Sequence, residues 1–430
     1  MGRQGVHLPS LGVVRGGRGR SRRVTVDEGR EQPPVHEPGE GRMERLRGEP
    51  SFARLAVPEG SQVVPVLVQP SATEAVGQLV RIVVLNRLHG RGARGPLDDE
   101  LFARQPRRGK AVRPPGHAEA RVFSHLGMTF SSRAFPGGVT VREYEGFVAS
   151  AGFRVYYRTF EPASYTSTVL ALHGGPGAHH EYLVPLADLT DHGYRVVFMD
   201  QVGCGKSERS PDPSVYTLEH NVQEVEGVRR ALDLGRVHLV GSSYGGLLAL
   251  AYAIQHQDHL KTLVTIGGLA DVPFTTAEMW RLIGELPEGT RAVIEKYGRL
   301  GEFHHPEYLQ AVDEFYHRHL CRLPVFPPEL TRALAETNPD VYERMNGPNE
   351  FTITGTIKDI DLTPRLSTIH VPTLVTGGRY DEVTPNVARQ IRDHIPGARQ
   401  MVFEESSHVP FWEERAAFMR TLVEFFKAHD

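Results

Sequence analysis

Residues 240–246 constrain the fold of this chain more than any other stretch. Among them only Ser243 has a glycine two positions away on each side, at Gly241 and Gly245. An apolar run precedes this segment and a helical pattern follows it, which fits a strained turn from a strand into a helix with the serine hydroxyl exposed. A side chain at either glycine would collide with the backbone of such a turn. We therefore predict a nucleophile turn here, the alternative being an ordinary loop of small residues.

A second motif follows an earlier apolar run. Residues 168–172 predict a strand buried on both faces, and the sequence HGGPG comes directly after it at residues 173–177. A serine that transfers acyl groups needs two N–H donors aimed at the developing oxyanion. The residue after the nucleophile supplies one of them, and a glycine-rich loop after a neighbouring strand supplies the other. We expect these donors to be the N–H groups of Tyr244 and Gly175, the alternative being a simple connecting turn.

Two further residues complete a candidate catalytic set. Asp381 follows a predicted strand at residues 372–376, and His408 follows another at residues 400–403. With Ser243 they occur in the order Ser, Asp, His, each just beyond a strand and thus at one edge of a parallel sheet. In such a triad the histidine accepts the serine proton and the aspartate orients the imidazole. Taken singly, Asp381 would be a turn aspartate and His408 a surface histidine.

The first 127 residues differ from the rest. They carry 21 Lys and Arg against 13 Asp and Glu, whereas the whole chain of 430 residues has a net charge of −3, so the remainder is acidic. Arginine, glycine and proline clusters of this kind resist packing. We expect residues 1–127 to be a disordered leader or to lie upstream of the true start of the protein at Met128. Clustered arginines could also bind phosphates, but no aromatic residues alternate with them, and we expect no nucleic-acid partner.

The remaining composition predicts a cytoplasmic protein without a cofactor. The chain has two cysteines, Cys204 and Cys321, and no apolar segment after its arginine pairs that would form an export signal, so we expect reduced thiols. No apolar run approaches the ~20 residues of a membrane span. Neither a metal-ligand spacing nor a nucleotide-binding glycine pattern occurs, and we expect the glycine loop at residues 200–207 to shape the pocket floor. These features predict no metal, no cofactor and no membrane association.

Five segments together resemble the proline iminopeptidase family. They are HGGPG at residues 173–177, DQ at 200–201 with Gly203, Gly205 and Ser207, GSSYGG at 241–246, MNGPNEFT at 345–352 and YDEVTP at 380–385. The last two are similar to the tricorn-interacting aminopeptidase branch. The resemblance implies an α/β-hydrolase fold, with a mostly parallel central sheet, helices on both faces and an inserted helical lid. The alternation of predicted strands and helices along the chain places the core at residues 128–270 and 351–430, and the mostly helical, proline-interrupted stretch between them places the lid at residues 271–350.

The resemblance also implies a serine exopeptidase that releases an N-terminal proline or another small or apolar residue from short peptides. Two glutamates of the similar branch bind the substrate ammonium, and they fall on Glu350 and Glu382. Carboxylates suit that task because opposite charge in a dry pocket gives affinity. The alternatives are a lid salt bridge for Glu350 and an exposed turn residue for Glu382. The same residues leave open an amino-acid amidase or ester hydrolase and a non-catalytic binding protein. Larger peptidases acting upstream are candidate functional partners.

Overall fold

The computed structural model describes residues 129–134 and 140–430. The predictions for residues 1–127 therefore lie outside the described residues. The strands are β1 Thr129–Ala134, β2 Thr140–Ser150, β3 Phe153–Pro162, β4 Ser167–Leu172, β5 Tyr194–Met199, β6 Val237–Ser242, β7 Leu260–Ile266, β8 Thr373–Gly378 and β9 Arg399–Phe403. They form one sheet of nine strands in the order β1-β2-β3-β5-β4-β6-β7-β8-β9.

The sheet changes from antiparallel to parallel along its width. β1 to β3 and the pairing of β3 with β5 are antiparallel, and all pairs from β5 through β4 to β9 are parallel. β2 and β3 form an antiparallel hairpin, and the predicted buried strand is β4, every residue of which is buried. The parallel strands β4, β6, β8 and β9 thus bring their carboxyl ends to one edge of the sheet, as predicted.

Helices cover both faces of the sheet. The helices are α1 Leu218–Ala231, α2 Tyr244–His256, α3 Val272–Gly284, α4 Glu288–Leu300, α5 Pro306–His319, α6 Pro328–Ala335, α7 Pro339–Met345, α8 Thr363–Leu366, α9 Pro385–His394, α10 Pro410–Glu413 and α11 Arg415–Lys427, with a longer 3₁₀ helix at His180–His192. α1, α2 and α9 share one apolar core with the sheet, and α11 and the 3₁₀ helix share another. The chain therefore has the predicted α/β-hydrolase architecture of a mostly parallel sheet between two helical layers.

Two elements show how local chemistry sets the helix limits. Thr217 caps α1 by accepting the N–H of His220 on its side chain, and α1 ends at Ala231. Between β7 and β8 the chain forms six helices, α3 to α8. Pro306, Pro328 and Pro339 each begin one of them, because the fixed φ of proline suits the first helical position, which needs no N–H. The predicted helical segment between the strands is thus present, and its role as a lid domain remains a prediction.

Within the described residues, no helix is both long and apolar enough to cross a membrane.

Cys204 and Cys321 are both buried free thiols, and burial raises the pKa of each above its ordinary value. A buried thiol whose pKa is raised reacts slowly, since the thiolate is the nucleophile. Both cysteines therefore act as small apolar side chains in the core.

Candidate active site

Ser243 lies on the turn between β6 and α2. Its φ is 58° and its ψ is −125°, a backbone conformation that non-glycine residues rarely adopt. A Cβ at Gly241 would lie 2.0 Å from the carbonyl oxygen of Gly245, and a Cβ at Gly245 would lie 2.3 Å from that of Leu172. Both glycines are therefore required by close backbone contacts, as the sequence pattern predicts. The turn leaves the Ser243 side chain half-buried at the sheet edge.

His408 and Asp381 lie against each other at the same edge. His408 Nδ1 is 2.6 Å from Asp381 Oδ1, and both side chains are buried. Gly267, at the end of β7, allows this pair to approach the backbone, since a Cβ there would lie 2.6 Å from His408 Nδ1. Ser243 and His408 line one cavity, although no hydrogen bond joins their side chains in the described part of the chain. The structure thus brings all three predicted residues together, with the histidine oriented by the aspartate.

The two expected oxyanion donors border the same cavity. Gly175 has a φ of 44° and Tyr244 begins α2, so its N–H is one of those that a helix leaves unpaired. Gly174 donates its own N–H to the hydroxyl oxygen of Tyr182 at 2.6 Å. Within the described residues, the N–H groups of Gly175 and Tyr244 donate to no protein acceptor. Both are therefore available to a ligand oxygen beside Ser243.

Glu350 and Glu382 both line this cavity. Glu350 follows α7 and accepts hydrogen bonds from Tyr342 Oη, at 2.7 Å, and from Tyr316 Oη. Glu382 follows Asp381 and is 2% exposed, and its Oε2 has no hydrogen-bond partner among the described residues. Its other oxygen lies 3.8 Å from His408 Nε2. Neither alternative holds for this pair, because Glu350 makes no salt bridge in the described residues and Glu382 is not an exposed turn residue.

The two glutamates change the protonation of their neighbours. Burial lowers the pKa of His408, but the negative charges of Asp381, Glu382 and Glu350 outweigh it and raise that pKa to about 9. Burial is the main cause of a raised pKa at Glu382, to which the nearby Glu350 and Asp381 add. The carboxylates therefore disfavour one another's ionised forms, and a cation bound there would offset this repulsion and favour the charged form of Glu382.

The cavity beside Ser243 has a volume of about 90 Å³, and apolar side chains make up most of the rest of its lining. Residues Leu269, Met279, Leu320, Leu330, Ile353 and Val383 are among those that form it. One expectation was wrong: no residue of the loop 200–207 lines this cavity. Asp200 instead holds neighbouring backbone by accepting the N–H groups of His180, at 2.9 Å, and Lys206, at 3.2 Å, because its buried carboxylate needs donors.

Sequence reasoning missed the hydrogen-bond partners of Glu350. Tyr316 and Tyr342 lie on α5 and α7, and no local motif marks a tyrosine that will meet a carboxylate 34 or 8 residues away. A helical pattern places them among other half-buried aromatic residues. These two tyrosines could have been suggested only by their positions on helix faces that turn toward the expected site of Glu350. These contacts depend on how the helices between β7 and β8 pack.

One group of described residues could hold a metal ion. Glu226, His256 and His259, here called the histidine cluster, place potential ligand atoms within 4.8 Å of one another. It lies at the end of α2 opposite Ser243, and the carboxylate of Glu226 already accepts hydrogen bonds from Arg229 and Tyr252. The cluster is therefore no part of the cavity beside Ser243, and the absence of a metal from the reaction stays a prediction.

Comparisons with known proteins agree with this geometry. A model of the alpha/beta hydrolase fold family matches residues 167–415. The chain is 47% identical over 286 residues to a proline iminopeptidase of Thermoplasma volcanium, covering 66% of this chain and 96% of that protein. It is 45% identical over 290 residues to a proline iminopeptidase of Saccharolobus solfataricus, covering 67% and 94% respectively.

A solved structure shows the same relationship. The crystal structure of the proline iminopeptidase of Mycobacterium smegmatis is 33% identical, with a TM-score of 0.63, and the match covers 70% of this chain and 98% of that one. The comparisons leave the tricorn-interacting branch untested. The matched length, the fold and the identities place the chain in one family: it belongs to the proline iminopeptidases of the α/β-hydrolase fold.

Proposed function

We propose that this protein is a serine exopeptidase that releases an N-terminal proline, or another small or apolar residue, from short peptides. Ser243 is the nucleophile, His408 the general base and Asp381 the residue that orients His408. The N–H groups of Gly175 and Tyr244 form the oxyanion hole. The relatives named proline iminopeptidase support the substrate class. The positions of Ser243, His408, Gly175 and Tyr244 around one cavity, and the contact of Asp381 with His408, support their roles.

The chemistry follows from these positions. Ser243 Oγ attacks the carbonyl carbon of the first peptide bond while its proton passes to His408 Nε2, and the carbonyl oxygen becomes an oxyanion held by two N–H groups. Collapse of this intermediate breaks the C–N bond, and His408 gives its proton to the departing amine. A water molecule then cleaves the acyl-enzyme by the same route, with His408 again accepting and returning a proton. Asp381 keeps the imidazole oriented throughout, through the contact at Nδ1.

One observation carries the assignment to an exopeptidase: Glu350 and Glu382 share the cavity of Ser243. A free N-terminal ammonium is the substrate group that matches two carboxylates in a dry pocket. Glu382 Oε2 is buried without a partner, and a buried carboxylate oxygen without a donor is costly, so it is suited to accept an ammonium N–H. Anchoring the ammonium there also sets the register, because only the first peptide bond then reaches Ser243.

Hydrolysis of a substrate panel tests this proposal. The panel contains prolyl and other aminoacyl arylamides, their N-acetylated counterparts, an amino-acid amide and a simple acyl ester, each given to the wild type, Ser243→Ala and Glu350→Gln. We expect cleavage of the free-amine arylamides and near-complete loss in Ser243→Ala, since removal of the nucleophile leaves only residual catalysis. In Glu350→Gln, kcat/KM should fall for substrates with a free amine and change little for acyl esters.

The panel also separates the competing functions. Equal rates on acetylated and free substrates would remove the ammonium site from the proposal. A marked preference for the amide or the ester over peptides would indicate an amidase or esterase, and no hydrolysis of any substrate would indicate a non-catalytic binding protein. Activity that survives in Ser243→Ala would refute the role of Ser243.

We further propose that residues 271–350 act as a lid and that the enzyme works in the cytoplasm on peptides supplied by larger peptidases. The lid role is supported by Leu330, Tyr342 and Glu350, which line the Ser243 cavity from this segment. The two free cysteines suit a reducing compartment. Shortening the segment would test the lid, because a true lid governs access and specificity, and unchanged discrimination among substrates would contradict it.

A further inference from the structure

A carboxylate outside the proposed machinery, Glu224 on α1, is completely buried. Its Oε2 accepts the N–H of Val202 at 2.8 Å, and its Oε1 accepts Asn221 Nδ2 at 2.9 Å. The only basic side chain at ion-pair distance among the described residues is His220, with Nε2 3.4 Å from Oε1. Burying a carboxylate without an arginine or lysine beside it costs free energy. This cost suggests that the hydrogen bonds of Glu224 serve a purpose in the protein.

The hydrogen bonds of Glu224 lead to Tyr244, the residue that follows Ser243 in the nucleophile turn. Asn221 accepts the hydroxyl proton of Tyr244 on its Oδ1 at 2.5 Å, so a buried chain runs from Tyr244 through Asn221 to Glu224. The direction of the chain is set by chemistry. The tyrosine donates to the amide oxygen, the amide nitrogen donates to the carboxylate, and both carboxylate oxygens must accept, because Val202 donates to the second one.

Tyr244 is the residue after Ser243, and its backbone N–H borders the cavity. Tyr244 is 3% exposed, and its hydroxyl reaches Asn221 on α1. The hydrogen bond to Asn221 therefore restrains the first residue of α2 at the point where the backbone is strained. An oxyanion donor acts only if it is held in place before the charge develops, since that preorganisation is the source of the rate gain.

We propose that Glu224 is a positioning residue, which holds the Tyr244 N–H toward the oxyanion through Asn221. This inference rests on the proposed function, since it takes the Tyr244 N–H as an oxyanion donor. The proposal states that the hydrogen bonds from Tyr244 to Glu224 stabilise the tetrahedral state more than they stabilise bound substrate or product. If these hydrogen bonds had a purely structural role, their loss would weaken the binding of all of these states equally.

The test uses two variants that leave every proposed catalytic group present. Tyr244→Phe removes only the hydroxyl, and Glu224→Gln replaces one acceptor by a donor, so that either Val202 or Asn221 faces a donor. Each variant is measured for kcat and KM, and for inhibition by two ligands. The first is the aldehyde analogue of the preferred amino acid, which Ser243 Oγ attacks to form a tetrahedral adduct as its proton passes to His408. The second is the free amino acid, which forms no adduct.

Loss of a whole oxyanion donor costs about 10²–10³-fold in kcat, so loosening one should cost about tenfold. We expect kcat and affinity for the aldehyde to fall by about tenfold in both variants, with affinity for the amino acid changed less than about twofold. Equal losses for both ligands, or no loss for the aldehyde, would overturn the inference. If Glu224→Gln fails to fold, Tyr244→Phe gives the same comparison.

The chain offers a matched control on the same two helices. Tyr252 of α2 donates to Glu226 Oε2 of α1 at 2.6 Å, a similar contact two turns farther from Ser243. Tyr252→Phe and Glu226→Gln should lower thermal stability by a similar amount and leave aldehyde affinity unchanged. Equal aldehyde losses in these controls would assign the effect to helix packing and refute the inference. If the wild type hydrolyses the ester but no aminoacyl amide, the proposed specificity fails, and the ester with its own aldehyde analogue still decides the role of Glu224.

Discussion

Replacing Glu382 with glutamine is the most direct perturbation of the proposed ammonium site. The change keeps the size of the side chain and removes its charge. Glu382 is 2% exposed, and its Oε2 has no partner among the described residues, so the variant breaks no hydrogen bond of that oxygen. Glu350 is a less clean target, because two tyrosine hydroxyls donate to it. A loss of activity in Glu382→Gln can therefore be attributed to the missing charge.

The expected size of the loss follows from the burial of the site. Two unit charges 4 Å apart interact by about 4 kcal/mol at an effective dielectric constant of about 20. A hydrogen bond to a charged group contributes about 1.5–3 kcal/mol net. We therefore expect the variant to lose about 2–4 kcal/mol of binding to a substrate ammonium. At about 1.4 kcal/mol per factor of ten, kcat/KM for free-amine substrates should fall by about 30- to 700-fold.

The assay compares prolyl arylamide with a simple acyl ester, using the wild type, Glu382→Gln and the control Glu226→Gln. The ester carries no ammonium, so its kcat/KM should not fall in Glu382→Gln, and it should rise near neutral pH because His408 loses a neighbouring negative charge that favours its protonated form. The control removes a carboxylate from the histidine cluster, outside the Ser243 cavity, and should leave both substrates unaffected. Equal losses on the ester and the arylamide would refute the electrostatic reasoning and assign Glu382 a general structural role.

Three other predictions concern protonation, backbone contacts and metal. Because surrounding carboxylates raise the pKa of His408 to about 9, and the base must be neutral, kcat/KM should keep rising with pH to about 9. The ammonium of a bound substrate offsets this charge, so the acid limb of kcat should lie at lower pH than that of kcat/KM; coincident limbs near pH 6.5 would contradict this. In Gly245→Ala the new Cβ would lie 2.3 Å from the Leu172 carbonyl oxygen, so we expect a loss of several kcal/mol in unfolding free energy by urea titration, and wild-type stability would disprove the contact. EDTA should leave hydrolysis unchanged, and inactivation reversed by added zinc would show that a metal takes part.

Two kinds of residue in the site differ in how far sequence could predict them. Ser243, Asp381 and His408 each follow a strand, and strand ends in a parallel sheet meet at one edge, so local patterns were enough to bring them together. Glu350 and Glu382 required a family resemblance, because neither lies in a pattern that by itself indicates an ammonium site. Their common cavity is a property of the packing between the helices α3 to α7 and the sheet.

The wrong expectation for the loop at residues 200–207 has the same origin. Its glycines indicated a tight turn, and the positive φ at Gly203 and Gly205 agrees with that. Sequence could not show which way the turn faces. In the structure the loop packs around the buried carboxylate of Asp200. Gly203 has no side chain, which leaves room for the side chains of Val341 and Tyr216.

By itself, the sequence determined the strained turn at Ser243, the order of strands and helices, and the positions of the proposed triad residues just beyond strand ends, because each of these depends on a local pattern of residues that are neighbours in the chain. Tertiary structure alone decided the electrostatic environment of that triad. The hydrogen bonds of Tyr316 and Tyr342 to Glu350, the contact of Glu382 with His408 and the chain from Tyr244 to Glu224 join elements that pack together only in the folded protein. Charges interact through space and not along the chain, so the pKa of His408 could be assigned only from the fold.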